Sequence, residues 1–254
     1  MPRQALPSTI DGVIARLSEI IQQCAATNHR AGYFAVLYHR VTVRIKECIS
    51  QKRFDDGVRM EKLDVNFANR YLAAYDAWRA GGVPSASWRA AFDAAAADAP
   101  LVLQHLLLGI NAHINLDLGI AAAETMKGFS IQGIRKDFYA INDVLAELID
   151  VSQRSLMEVN PLLKLLQLHR YKADEMLVNF SIGTARDGAW AFAQEVARKN
   201  GAAYDACVAL RDACITRLGQ TIIQPRSRAV RATIGTIRMF EKRRVSDVIR
   251  LLGA

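Results

Sequence analysis

From Ala99 to Leu116 the chain carries no Asp, Glu, Lys or Arg, the longest such run in the sequence. Over Leu101–Asp117 apolar residues fall on every side of the helix that this stretch builds. Such a helix has no solvent face and is buried all round. It also holds Gln104, His105, Asn111, His113 and Asn115. Lipid would have to desolvate all five, so the segment is read as a core helix and no membrane span is expected. The rest of the chain must then wrap around it.

Helical spacing supplies the wrapping, and no sustained period-2 alternation appears. Ser8 or Thr9 caps a first helix reaching about Ala26. Helices follow over about 32–51 and 59–79, stopped by Gly81-Gly82-Val83-Pro84. Ser85 caps a short one through Ala97. Asp98-Ala99-Pro100 restarts the chain with an acidic cap and a proline in the first turn, and the central helix then runs to about Thr125. Later helices are expected over about 134–151, 162–180, 182–198, 203–221 and 227–252, the last interrupted near Gly235. The expectation is an all-α, single-domain bundle over 1–254, consistent with 254 residues of which 51% are hydrophobic, 23% charged and only 6 proline.

Residues four apart on a helix are near neighbours. His105, Gly109, His113 and Asp117 therefore share one slowly drifting ridge, with Gly109 removing bulk between the histidines. A ligand or a neighbouring helix can fill that space. Three uses of the His113–Asp117 pair stay open: a structural hydrogen bond, a carboxylate orienting an acid–base imidazole, or two ligands to one divalent metal ion. His105 is a second candidate donor. Gln104 and Asn111 occupy another face, where bonds to neighbouring helices are expected, and Asn115 lies with them as a candidate substrate contact.

Asp64, Arg70 and Tyr71 punctuate an otherwise apolar helix. Asp64 is expected to meet Arg40 or His105, as architecture or as part of the site. Asp137 suits a helix N-terminus and can also face the site. Arg186 and Trp190 lie one turn apart, so an indole-stacked guanidinium could hold a carboxylate or phosphate, the plain alternative being a surface Arg–Asp pair. His169 reads as ordinary. There is no P-loop, no Rossmann glycine fingerprint, no GxSxG and no HExxH, so nucleotide-driven and serine-hydrolase mechanisms have no support.

The formal net charge is +8. Much of the excess lies in Arg226, Arg228, Arg231, Arg238, Lys242, Arg243, Arg244 and Arg250, on basic helices over about 226–252. A solvated helix face accounts for them, and the lack of interleaved aromatics argues against nucleic acid. Cys24, Cys48, Cys207 and Cys214 form no CxxC pair and read as reduced thiols, which with the absence of a signal core predicts a cytoplasmic location.

Several blocks carry a resemblance. They are Tyr33-Phe34-Ala35-Val36-Leu37-Tyr38 with Arg40 and Thr42, Phe54-Asp55-Asp56 through Met60 with Leu63-Asp64 and Phe67–Tyr71, Gly109–Leu118, and Arg186 with Ala189-Trp190. Together these resemble an uncharacterised bacterial family described only as a domain of unknown function. The resemblance implies an all-α fold and points to the polar residues inside the blocks, without a reaction. Gly109, His113 and Asp117 are also similar to the glycine and His-x-x-x-Asp of zinc-dependent phospholipase C and related nucleases. Here Ala121-Ala122-Ala123 replaces the next part of that pattern, and a second His-x-x-x-Glu helix is missing. With 5 histidines in the chain, only a mononuclear site, from His113, Asp117 and His105 or Asp64, stays open.

The leading expectation is an enzyme acting on a small-molecule substrate. Its candidate catalytic residues are His113, Asp117 and His105, its candidate substrate contacts Arg186, Trp190, Asp64, Arg70, Tyr71 and Asn115, and His113 with Asp117 is its candidate metal pair. The alternatives are a non-catalytic ligand-binding module and an interaction protein using the basic C-terminal helices. Helix faces rich in Ala and Leu leave a homo-oligomer open.

Overall fold

Thr9 Oγ1 accepts the Gly12 N–H at 3.2 Å and starts α1 (Ile10–Ala26). Helix α2 (Ala31–Ser50) follows a turn in which Asn28 takes φ +52°. Asp56 caps α3 (Gly57–Arg79) by accepting the Arg59 N–H at 3.0 Å. Ser85 caps α4 (Ala86–Ala95). The central helix is α5 (Val102–Ala112), a π-helical turn (His113–Asp117) and α6 (Leu118–Thr125) in unbroken succession. A 3₁₀ turn (Ile131–Ile134) leads into α7 (Arg135–Val159), and a second 3₁₀ stretch covers Pro161–His169. Then come α8 (Ile182–Val196), α9 (Gly201–Ile223), α10 (Arg228–Phe240) and α11 (Val245–Gly253). The computed structural model describes residues 5–169, 180–241 and 244–254, and the described residues contain no strand.

The central helix is enclosed as its composition demands. It packs against α2, α3, α4, α8 and α9, and Gln104, His105, Asn111, His113, Asn115 and Asp117 are all buried. By length and composition Val102–Thr125 could cross a membrane, but 89% of its apolar window is buried inside the protein.

Two close approaches fix the neighbours. A Cβ on Gly109 would sit 2.4 Å from Phe34 Cδ2, so α2 closes onto α5 there. A Cβ on Gly119 would sit 2.9 Å from the Ala189 carbonyl oxygen, so α8 closes onto α6.

Some boundaries differ from expectation. The central helix begins at Val102, not at the proline. Its start is capped by Gln104, whose Oε1 accepts the Leu101 N–H at 2.9 Å, and by Glu241, whose Oε2 accepts the Val102 N–H at 3.1 Å. Asp98 pairs with Arg30 instead. Helix α7 runs on to Val159, because nothing in 152–159 breaks it. The expected helix over 162–180 starts as a 3₁₀ stretch, and 170–179 lie outside the described residues. The C-terminal pair separates at Glu241, not at Gly235.

The basic helices dock by their apolar faces. Val230 and Ile237 of α10 and Val245, Val248, Ile249 and Leu252 of α11 are buried. Arg40 donates to the Leu252 carbonyl at 2.7 Å. Arg231 donates to the Pro225 carbonyl, and Arg238 and Arg250 pair with Glu241 and Asp247. Lys242 and Arg243 lie outside the described residues.

Candidate functional site

A cavity of about 520 Å³ lies between α2, α3, the central helix, α7 and α8. Its wall is mostly Leu, Ile and Phe, with Tyr38, Asp64, His113, Gln153, Ser181 and Arg186 as the polar exceptions. Four atoms of those exceptions are buried with no hydrogen-bond partner among the described residues, Tyr38 Oη, Asp64 Oδ2, His113 Nε2 and Arg186 Nε, and seven further such atoms, among them Tyr71 Oη and both His105 nitrogens, lie away from the cavity. Leaving one such group unsatisfied costs about 1–3 kcal/mol. That four of them line one cavity is the main observation about this site.

His113 opens the π-helical turn, and Asp117 closes it. A π turn widens the helix locally and is frequent at functional sites. His113 Nδ1 lies 3.3 Å from Asp117 Oδ2. A carboxylate has no hydrogen to give, so Nδ1 donates and Nε2 keeps its lone pair. Burial pushes the imidazole below its ordinary pKa, against the pull of Asp117. The neutral ring is held flat on Phe67, centroid to centroid 3.5 Å at 6°, with Tyr38 edge-on at 4.5 Å.

Asp117 is itself fixed. Trp88 Nε1 donates to its Oδ2 at 2.7 Å and Arg70 Nε to its Oδ1 at 3.0 Å. Arg70 also lies 3.5 Å from Glu124. A metal ion on Asp117 would have to displace these donors. Among the described residues no three His, Cys, Asp or Glu side chains converge as ligands would. Both Asp117 oxygens are thus already engaged, by Trp88, Arg70 and the His113 N–H.

Asp64 meets neither Arg40 nor His105. Its carboxyl is pushed up to about 7, first by burial and then by Glu61. Arg186 is 2% exposed. Its Nη2 donates to the Phe138 carbonyl, and its guanidinium lies 4.7 Å over the Phe138 ring. It stacks on Phe138 and not on Trp190, whose own contacts are Phe138 and Tyr139. Burial lowers the guanidinium to about 10, opposed by Tyr139 and Asp187. It makes no ion pair among the described residues.

The model of a family described as a family of unknown function, DUF5995, matches residues 10–225. The chain belongs to DUF5995. No curated protein and no solved structure matches it. The DUF5995 stretch contains every polar atom of the cavity wall named above, while α10 and α11 lie beyond it and add Leu252 to the wall.

Within the DUF5995 stretch the expected ridge divides. Phe34 fills the notch at Gly109 and separates His105 from the cavity. His105 faces Tyr33 instead, at 5.7 Å, and burial lowers its pKa to about 3. Asn115 turns away as well, donating to Asn111 Oδ1 at 3.0 Å, while Asn111 donates to the Ile215 carbonyl. Tyr71 sits in an aromatic cluster with Phe34, Trp88 and Phe92, off the wall. Trp190 is also off the wall, and Arg70 acts through Asp117. Asp137 clamps the Phe54–Asp56 turn, accepting from Asp55 N, Asp56 N and Arg59.

Three participants escape sequence reasoning. Periodicity puts Tyr38 and Phe67 on inward faces but does not bring them against His113. Trp88 carries the one usable signal, since a buried indole N–H needs an acceptor and Asp117 is a carboxylate in the most apolar helix.

Proposed function

We propose that this protein is an enzyme acting on a small, mostly apolar molecule held in the cavity, with His113 as general base. The observation that carries this is His113 Nε2, unpartnered on an apolar wall while Nδ1 is pinned by Asp117. Sites for small molecules combine an apolar lining with a few convergent polar groups, at volumes of roughly 300–1,000 Å³.

The environments of His113 and Asp64 favour opposite protonation states near neutral pH. Burial keeps the imidazole neutral and able to take a proton. The same burial keeps the Asp64 carboxyl largely protonated up to about 7 and able to give one. A base and an acid on one apolar wall suit proton-transfer chemistry, an isomerisation or an elimination. Tyr38, whose ring packs edge-on against His113, adds a neutral hydroxyl, because burial raises it well above the ordinary phenol range. A reducing compartment such as the cytoplasm accords with four free thiols, two of them buried.

The test is an organic extract of the cells that make the protein, incubated in D2O with wild type or His113→Gln and followed by mass spectrometry. The expected result is at least one species converted or deuterated by wild type. His113→Gln should slow that change by roughly 10²–10⁴-fold, the usual loss of a general base. Extract that raises the melting temperature with no chemical change would make the protein a binding module. Extract that does neither would overturn the proposal altogether.

A further inference from the structure

Resting on the cavity reading above, the structure assigns the ligand a class: we propose an amphiphile with one anionic head, a carboxylate, docked on Arg186, and an apolar body along the wall. Arg186 is the only Lys or Arg among the described residues lining the cavity. It is 2% exposed, makes no ion pair among the described residues and leaves Nε unused. Its one acceptor among the described residues is the Phe138 carbonyl. A buried guanidinium satisfied by one carbonyl is an incomplete site, because its fork matches a carboxylate. Asp187 and Tyr139 act on it only through space.

One cation balances one negative charge. A phosphate monoester, at nearly two charges, would leave an excess in an apolar cavity, where an unpaired charge is most costly. The wall between the polar positions is Leu, Ile and Phe, which suits a hydrocarbon body. Arg186 stands on α8, and Asp64 on α3. The head position and the His113–Asp64 position therefore come from different elements of one wall. The bound acid would place its head at Arg186 and its reacting carbon away from it.

The probe is cis-parinaric acid, a fluorescent long-chain carboxylic acid, titrated beside its methyl ester into wild type and Arg186→Met. Wild type is expected to bind the acid at least about tenfold more tightly than the ester, the worth of a charge-assisted hydrogen bond. Arg186→Met is expected to erase that ratio and leave the ester's affinity in place. Equal affinities for acid and ester in wild type would overturn the head-group assignment while leaving the apolar cavity intact, and this comparison needs no variant to fold. An acid preference that survives in Arg186→Met would overturn it too. Failure of both probes to bind would sink the cavity reading itself.

Discussion

Asp117→Asn tests the pinning of His113 with almost no change of shape. Asp117 accepts Trp88 Nε1 at 2.7 Å and His113 Nδ1 at 3.3 Å on one oxygen, and Arg70 Nε at 3.0 Å on the other. A carboxylate serves all three donors, whereas an amide has one accepting oxygen. With that oxygen toward Trp88 and His113, the new NH2 group faces Arg70, donor against donor. Reversed, it strands the Trp88 N–H, whose residue is 1% exposed. The first arrangement is the milder, because the Arg70 side chain is 29% exposed and keeps Glu124 at 3.5 Å. The loss is then one charge-assisted hydrogen bond, about 1.5–3 kcal/mol, and nearer 2 because water can reach Arg70. For a chain of this length each kcal/mol moves the midpoint by about 2–4 °C, so the melting temperature should fall by about 4–8 °C. Urea unfolding followed by tryptophan fluorescence reads the same loss as a lower midpoint at unchanged slope. A variant within about 0.5 kcal/mol of wild type, the range of an ordinary surface change, would refute the claim that Asp117 organises Trp88, Arg70 and His113.

Two further perturbations separate the wall from the core. The Asp64 carboxyl titrates at about 7 when folded, against an ordinary 3.8. Between those values the native state holds the proton more tightly than the unfolded chain, so this group's contribution falls as pH rises from about 4 through 7. Asp64→Asn removes that slope and should gain at most about 4 kcal/mol over wild type at pH 8 relative to pH 4, checked by paired urea titrations. Parallel curves for the two proteins would refute the raised carboxyl. Gly109→Ala brings a methyl group 2.4 Å from Phe34 Cδ2 and 3.0 Å from Phe34 Cβ, so the whole residue must move. Overpacking of this kind costs about 1–3 kcal/mol, against about 1 returned by helix propensity. A net loss in thermal unfolding is expected, and a net gain would mean that Phe34 does not seat on Gly109.

The helices were legible because their causes are local. Thr9, Asp56 and Ser85 sit where caps are needed, and the polar side chains inside the uncharged stretch after Pro100 mark it as a core helix. What escaped reading depends on contacts made far along the chain. The start of the central helix is set by Glu241, more than a hundred residues away, so Pro100 offered a plausible but wrong beginning. The ridge of His105, Gly109, His113 and Asp117 is real as spacing, yet Phe34 enters at Gly109 and divides it. No pattern on α5 announces an aromatic ring that belongs to α2.

The same logic separates site from scaffold inside the central helix. A helix buried on every side gains from satisfying each polar group it carries, and His105, with neither ring nitrogen partnered among the described residues, is an exception away from the cavity. Gln104 finds its partners in the Ile222 carbonyl and the Leu101 N–H, Asn111 in the Ile215 carbonyl, and Asp117 in three donors. These residues explain themselves as architecture. His113 is half explained, since Nδ1 has its carboxylate while Nε2 has no partner among the described residues and its side chain lines the cavity. Asp64 and Arg186 repeat that imbalance from α3 and α8, one with an acid held protonated and one with a cation lacking its anion. Three helices thus bring an unpartnered buried polar atom to one apolar wall, each at a cost to the stability of the empty protein. Under the proposed function, a molecule with a matching acid head and a proton to lose would repay that deficit, and the ratio of acid to ester affinity is where the repayment becomes measurable.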